Sequence, residues 1–239
     1  MKEITVGILQ PSYLPWIGYF DYIDRCDVFV FYDDVAISDA KDWRSRNRLK
    51  TIKGVGWLSV PIKSHHGMLI NQVEIDNHSN WREKHLRTIS TNYSRSKFFG
   101  DRKLQALLIS MYLSNWDKIA NIDIHTICFI CGILGINSMC GISSRMYVGG
   151  NKSERLLNTC KSLGATKYLA TNASKDYLDE SIFEKEGIKV EYQNYNHPEY
   201  PQLYGDFISH LSVIDLLCNC GPGSLDIIRK GRNDEKTGS

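Results

Sequence analysis

Two short apolar runs, Ile4 to Leu9 and Val28 to Tyr32, bracket the segment Gln10-Pro11-Ser12-Tyr13-Leu14-Pro15-Trp16-Ile17-Gly18-Tyr19-Phe20 at the start of the chain. Runs of that length bounded by turn residues read as strands, and the stretch between them holds an aromatic loop and one short helix. The second run ends in Asp33-Asp34, so two acids stand at the C-terminal end of a strand. In open α/β sheets ligands bind outside the carboxyl ends of strands, which places a site here. Pro11 and Pro15 stiffen the loop, Gly18 permits close approach, and Tyr13, Trp16 and Tyr19 offer flat faces with polar tips. The competing reading is a buried aromatic plug that covers the sheet end.

With 239 residues, 42% of them hydrophobic, the chain can bury one sizeable core. A formal charge of +2 without a lysine- or arginine-rich run leaves no footprint for nucleic-acid binding. No apolar stretch is long enough to cross a bilayer and no leader pattern opens the chain, so a cytoplasmic protein is expected. Seven cysteines without a secretory signal argue for reduced thiols. Cys128-x-x-Cys131 lies in an apolar stretch and has no partner pair, so it reads as thiols one turn apart on a buried helix and no metal site is expected.

Farther along, Asn47 to Thr51 and Gly56 to Ile62 alternate as strands, adding an antiparallel element to the sheet. Helices are expected over 81–92, 104–113 and 116–134, giving a helical block at about 79–135. The last third returns to alternation: a helix at 153–163, a strand at 167–170, a helix at 179–186 and a strand at 189–193. Gly164 and Gly187 sit where helix C-terminal caps would place them. The segment 195–207 reads as an ordered loop able to fold over the sheet end, and Ser212-x-x-Asp215 resembles a capping box. The fold expected is one α/β domain over 1–228, a Rossmann-like sheet with an antiparallel addition and a helical insertion, followed by a disordered tail at 229–239.

The words Gln10-Pro11-x-Tyr13-x-Pro15-x-x-Gly18-Tyr19-Phe20, Asp33-Asp34-Val35 and Trp43-x-x-Arg46-Asn47-Arg48 resemble the WbqC-like family, whose members are often encoded with bacterial surface-polysaccharide enzymes. Trp57-x-x-Val60-Pro61-Ile62-Lys63, Trp81-x-x-Lys84-His85, Lys152-x-Glu154-Arg155-Leu156-Leu157 and Ser212-x-x-Asp215-Leu216-Leu217 are similar to it as well. Two departures stand out: Ser45 replaces an Asn found in many members, and Asn172-Ala173 replaces a more usual Gly-containing turn. The resemblance implies a place in glycan biosynthesis of the O-antigen or lipopolysaccharide type.

Several residues could carry chemistry. His85 follows Trp81 by one helical turn and could accept a proton near neutrality, or be a satisfied structural histidine. Adjacent strand residues point to opposite faces, so Asp33 and Asp34 form no close dyad; one of them, Asp33 by preference, could bind a sugar hydroxyl or amine, or both could hold magnesium with phosphate or solvate a strand end. Arg46 and Arg48 share a strand face while Asn47 points away, and Arg46 either recognises phosphate or pairs with an acid such as Asp42. Lys152 and Arg155 follow Gly149-Gly150 at a helix start, where free amides can hold an anion or the glycines simply make a flexible loop.

The function expected is acyl or aminoacyl transfer to the amino group of a nucleotide-linked sugar. His85 and Asp33 are then catalytic candidates, and Gln10, Tyr13, Trp16, Gly18, Tyr19, Arg46 and Asn47 bind substrate. No cofactor is required, although the donor could be a phosphopantetheine thioester presented by an acyl or peptidyl carrier protein. Two alternatives stay open. Trp16-Ile17-Gly18-Tyr19 is spaced like the His-x-Gly-His signature of adenylate-forming enzymes, which suggests adenylation or nucleotidyl transfer. The chain could also be a non-catalytic sugar-nucleotide binding module.

Overall fold

A computed structural model describes residues 3–37 and 42–233. Its centre is a parallel sheet of β1 (Thr5–Leu9), β2 (Val28–Phe31), β7 (Met139–Ile142), β8 (Lys167–Ala170) and β9 (Lys189–Tyr192), in the order β7-β2-β1-β8-β9. The registers Val6↔Val28, Thr5↔Lys167, Val28↔Met139 and Lys167↔Lys189 are all parallel. Between the sheet and its sequence stand the other elements: β3 (Arg46–Thr51), β4 (Gly54–Ser59), β5 (Ile62–Lys63), β6 (Glu74–Ile75), and helices α1 (Ile17–Asp24), α2 (Trp81–Tyr93), α3 (Arg102–Tyr112), α4 (Ile119–Leu134), α5 (Lys152–Ser162), α6 (Glu180–Lys185), α7 (Val213–Cys220) and α8 (Ser224–Arg229).

Alternation along the strands divides the core in two. Phe29 and Phe31 join α1 and the helical block on one face, while Val6, Ile8, Val28 and Val30 meet α5 and α6 on the other. Burial on both faces explains why β1 and β2 read as continuous apolar runs. The chain winds outward through β2 and β7 with its helices on the first face, then crosses back to β8 and β9 with helices on the second. Strand order therefore reverses between β1 and β8, the topological switch point where ligands of such sheets bind. Tight packing of α1 on β1 depends on Gly7, where an added Cβ would lie 2.4 Å from Cys26 Sγ and 2.5 Å from the Tyr22 ring.

The expected helices form, within a residue or two to three at each end. Asp101 caps α3 by accepting from the Lys103 and Leu104 amides at 2.9 and 3.2 Å, and Gly135 ends α4 with φ of 78°. Four expectations need correction. The antiparallel strands β3 and β4 make a separate hairpin, and β5 pairs only with β6, so neither extends the parallel sheet. Strand β7, which the sequence reading missed, is an edge strand whose Met139 and Cys140 are exposed, so no apolar run marks it. Cys128 is likewise exposed on α4, and only Cys131 of that pair is buried. Finally, the start of the presumed tail is ordered: Arg229 binds Asp24 at 2.7 and 2.9 Å and Arg232 Nε binds Asp21 at 2.6 Å. The rest of that segment, 234–239, lies outside the described residues.

Candidate functional site

The proline-rich loop is fixed before it reaches the sheet end. The Asn47 amide donates to the carbonyls of Tyr13 and Leu14 at 3.2 and 2.9 Å, and Leu14 takes a left-handed φ of 43°. A leucine there is strained, and the two hydrogen bonds from a buried amide hold it. Pro15 accepts from the Val213 amide at 2.9 Å, which ties the loop to the start of α7. Asn47 thus positions the loop from behind, 3% exposed, while its carboxamide oxygen accepts from the Arg48 amide.

Loop residues then split between the two readings that the sequence left open. Tyr13 is fully buried, and its hydroxyl lies 2.9 Å from His85 Nδ1 and 2.8 Å from the Tyr112 hydroxyl. Trp16, Gly18, Tyr19, Gln10 and Ser12 instead line a cleft of about 860 Å³ between the carboxyl ends of β1 and β8. Trp16 can lie back over the helix start only because residue 18 is glycine: a Cβ there would come within 2.2 Å of its ring. The Tyr19 hydroxyl donates to the Gln10 carbonyl at 2.9 Å, which orients its ring against the cleft.

The opposite wall comes from residues the sequence reading did not select. Thr171, Asn172 and Ser174 follow β8, Tyr177 stands at the rim 67% exposed, and Gln193 and Tyr195 follow β9. Gln193 donates to the Gly18 carbonyl at 2.7 Å and to Asp21 at 2.9 Å, joining the two walls at their base. Position after a strand is the signal that could have found Thr171 and Gln193, since both strands were expected. Lys152 brings a cation to the cleft from the first turn of α5.

A second chamber of about 370 Å³ shares Ser12, Trp16, Tyr19 and Arg44 with the first. Its remaining walls are Pro15, Trp43, Asn47, Arg48 and His210. The segment 195–210 folds over the sheet end and places His210 and His197 against Trp16, with ring centroids 4.7 and 5.9 Å away and near-parallel planes. Burial, and then the Arg48 charge, push the His210 imidazole below its ordinary range. Both effects favour the neutral ring.

The two proposed catalytic residues lie elsewhere. His85 Nε2 faces the Ser59 carbonyl at 3.1 Å, an acceptor only, so Nε2 carries the proton and Nδ1 accepts from Tyr13. Tyr112 must then donate to Tyr13, giving a relay of hydrogen bonds with no free nitrogen. Burial, partly opposed by Ser59, pushes this imidazole down to about 4. His85 lines neither chamber, and its satisfied ring fits the structural alternative. Asp33 is 4% exposed and accepts from Ser143 Oγ at 3.0 Å, Ser144 N at 3.0 Å and Ser144 Oγ at 2.7 Å. It locks the turn after β7, while Asp34 pairs with Arg155. Arg46 and Arg48 do share a face, stacked over Trp57 at 4.4 Å and toward Trp43 at 5.8 Å, and Asp42 pairs with Arg44 at 2.5 Å.

Among the described residues no three His, Cys, Asp or Glu side chains converge as metal ligands, and no helix is long and apolar enough to cross a membrane. No solved structure matches the chain. An uncharacterized protein of Mycobacterium tuberculosis, Rv1507c, is 34% identical over 228 residues, covering 94% of this chain and 97% of its own length. The model of the WbqC-like protein family matches residues 10–227, which span the aromatic loop, the smaller chamber, the lining of the larger cleft apart from Ile8 and Leu9, and α7. The chain belongs to the WbqC-like protein family.

Proposed function

We propose that the protein transfers an acyl or aminoacyl group from a thioester to the amino group of a nucleotide-linked sugar in surface-glycan biosynthesis. The observation that carries this reading is the pair of chambers at the switch point, joined along a wall of Ser12, Trp16, Tyr19 and Arg44. A nucleotide in the larger cleft would lay its base against the aromatic walls and its phosphates toward Lys152, leaving the sugar at the shared wall. The second substrate would arrive from the smaller chamber.

In the transfer, the sugar amine attacks the thioester carbonyl, the C–N bond forms and the C–S bond breaks. The neutral His210 ring takes the proton leaving the nitrogen and returns it to the departing thiolate, so the products are an amide and a thiol. His210 replaces His85 in this role because it lines a chamber and its surroundings favour the neutral ring. The Ser12 hydroxyl, which makes no hydrogen bond among the described residues, can donate to the developing oxyanion. Proximity supplies the rest, since both reactants are held across one wall.

The test is calorimetry with uridine and thymidine diphosphates and ATP, followed by mass spectrometry of amino-sugar nucleotides incubated with acyl thioesters. Diphosphate binding and a mass gain equal to the acyl group are expected. ATP consumption with pyrophosphate release would establish adenylation instead, and binding without any turnover would leave a binding module.

A further inference from the structure

Outside the smaller chamber the β3–β4 hairpin carries an unusual surface. Trp43 and Trp57 are 47% and 46% exposed, with ring centroids 5.7 Å apart and planes tilted by 32°. Arg46 lies 4.4 Å over the Trp57 ring, and Arg48 lies 5.8 Å from the Trp43 ring. Cross-strand pairing of Arg48 with Trp57 sets this layout, since residues at paired positions share one face of the hairpin. A guanidinium stacked on an indole keeps its N–H edges directed outward, preorganised for a planar or tetrahedral anion.

The donors of both arginines are largely unspent. The Arg46 guanidinium makes no hydrogen bond or ion pair among the described residues. Arg48 gives Nη2 to the His210 carbonyl at 2.9 Å, and its Nε is buried without a partner. Trp43 and Arg48 belong both to this surface and to the chamber wall, so the surface is continuous with the chamber and through it with the cleft.

We propose that this indole and guanidinium rim, with the chamber behind it, is the entry for a phosphate-terminated pantetheine thioester. The rim takes the phosphate, and the chamber takes the arm between Pro15, Trp16 and Tyr19. The thioester then reaches the wall shared with the cleft. This rests on the acyl-transfer reading above and names its donor by chemistry: a phosphate at one end, esterified onward or free, a narrow uncharged arm and a thioester carbonyl at the other end. Coenzyme A and the prosthetic arm of a carrier protein both supply it.

The experiment is titration calorimetry on the full chain with 4′-phosphopantetheine, pantetheine, coenzyme A and a carrier protein in its holo and apo forms. Phosphopantetheine should bind at least about tenfold more tightly than pantetheine, as expected for a charge-assisted pair of hydrogen bonds. Arg46→Gln should abolish that difference while lowering the melting temperature by a few degrees at most, because its guanidinium makes no ion pair among the described residues and stacks only on the half-exposed Trp57 ring. Trp57→Phe, which keeps an aromatic platform, should preserve most of it. Tight coenzyme A binding identifies the free thioester as source, and tighter holo than apo carrier binding identifies the carrier. Equal affinities for pantetheine and phosphopantetheine, or a difference that survives Arg46→Gln, would overturn the proposal, as would a neutral oligosaccharide that competes for the rim where phosphopantetheine does not bind. Uridine diphosphate separates the two readings: phosphate discrimination without diphosphate binding keeps the donor entry and removes the nucleotide assignment, whereas the reverse result removes the donor entry alone.

Discussion

At the scale of single residues, His85 shows how the helix that carries an imidazole can be read from sequence while the partners of its two nitrogens cannot. Its spacing from Trp81 places it on α2, where it is buried, but only the structure reveals that Tyr13 and Ser59 occupy both ring nitrogens. The sign of its pH effect follows from its position. Folding lowers the imidazole from its ordinary 6.5 to about 4, so between those values the unfolded chain binds a proton that the folded chain does not. Its contribution is complete above pH 6.5 and is lost as pH falls toward 4, at most about 3 kcal/mol. His85→Gln should therefore cost about 1 to 3 kcal/mol at pH 7 yet flatten the acid-side slope of stability, measured by urea midpoints from pH 7 to 4.5. A slope equal to the parent's would mean that other groups control that limb. His210 is predicted to behave in the opposite way. His210→Gln should change the unfolding free energy from urea titration by no more than about 0.5 kcal/mol, because the residue as a whole is exposed and an amide can still lie against Trp16, while removing an acid limb of the single-turnover rate that lies below the ordinary imidazole range. An unchanged profile would exclude it as the base.

Among elements, the first βαβ unit was legible because both faces of its strands are buried, which forces the apolar runs of β1 and β2. Edge strand β7 was not, since its outer residues face solvent and impose no pattern. The carboxyl-terminal helix α8 was missed for a different reason. With only six residues it has little intrinsic stability, and the partners of its Arg229 and of the following Arg232, Asp24 and Asp21, lie far away in the chain on α1. A run of charges ahead of the terminus looks like a solvated tail unless those partners are known. Burial opposes ionisation of Asp24, but the guanidiniums of Arg229 and Arg232 outweigh it and hold the carboxyl below its usual value. Asp21 is fully buried and bound by Arg232 and Gln193. Arg232→Ala should therefore destabilise the fold by about 3 to 5 kcal/mol, because it strands a buried carboxylate. Combining it with Asp21→Asn should recover a substantial part of the loss. A double variant no more stable than Arg232→Ala would show that the arginine acts through packing rather than charge.

Across the whole molecule, the two chambers depend on segments that meet only in the folded chain: the aromatic loop after β1, the hairpin, the turns after β8 and β9, and the cover at 195–210. Trp16 stands where they converge, held by His197 and His210 on one side and by the absence of a side chain at Gly18 on the other. If both substrates are bound across this wall, one methyl group beneath Trp16 should disturb both. Gly18→Ala would bring a Cβ within 2.2 Å of the indole, so the ring must move into one chamber or the other. The helix itself gains by the change, since alanine is the better helix former, which keeps the variant foldable. We expect Gly18→Ala to weaken uridine diphosphate and phosphopantetheine binding together by about tenfold or more, about 1.4 kcal/mol for each. Lys152→Ala, at the far side of the cleft, should weaken the diphosphate alone, and Arg46→Gln the phosphopantetheine alone. Thermal shifts report the same pattern independently: a ligand at about one hundred times its dissociation constant adds about 2.7 kcal/mol, or roughly 5 to 11 °C for a chain of this size. Loss of only one ligand in Gly18→Ala would show that the chambers are separate sites with no common wall, and the transfer reading, which needs both reactants to meet at Trp16, would fail with it.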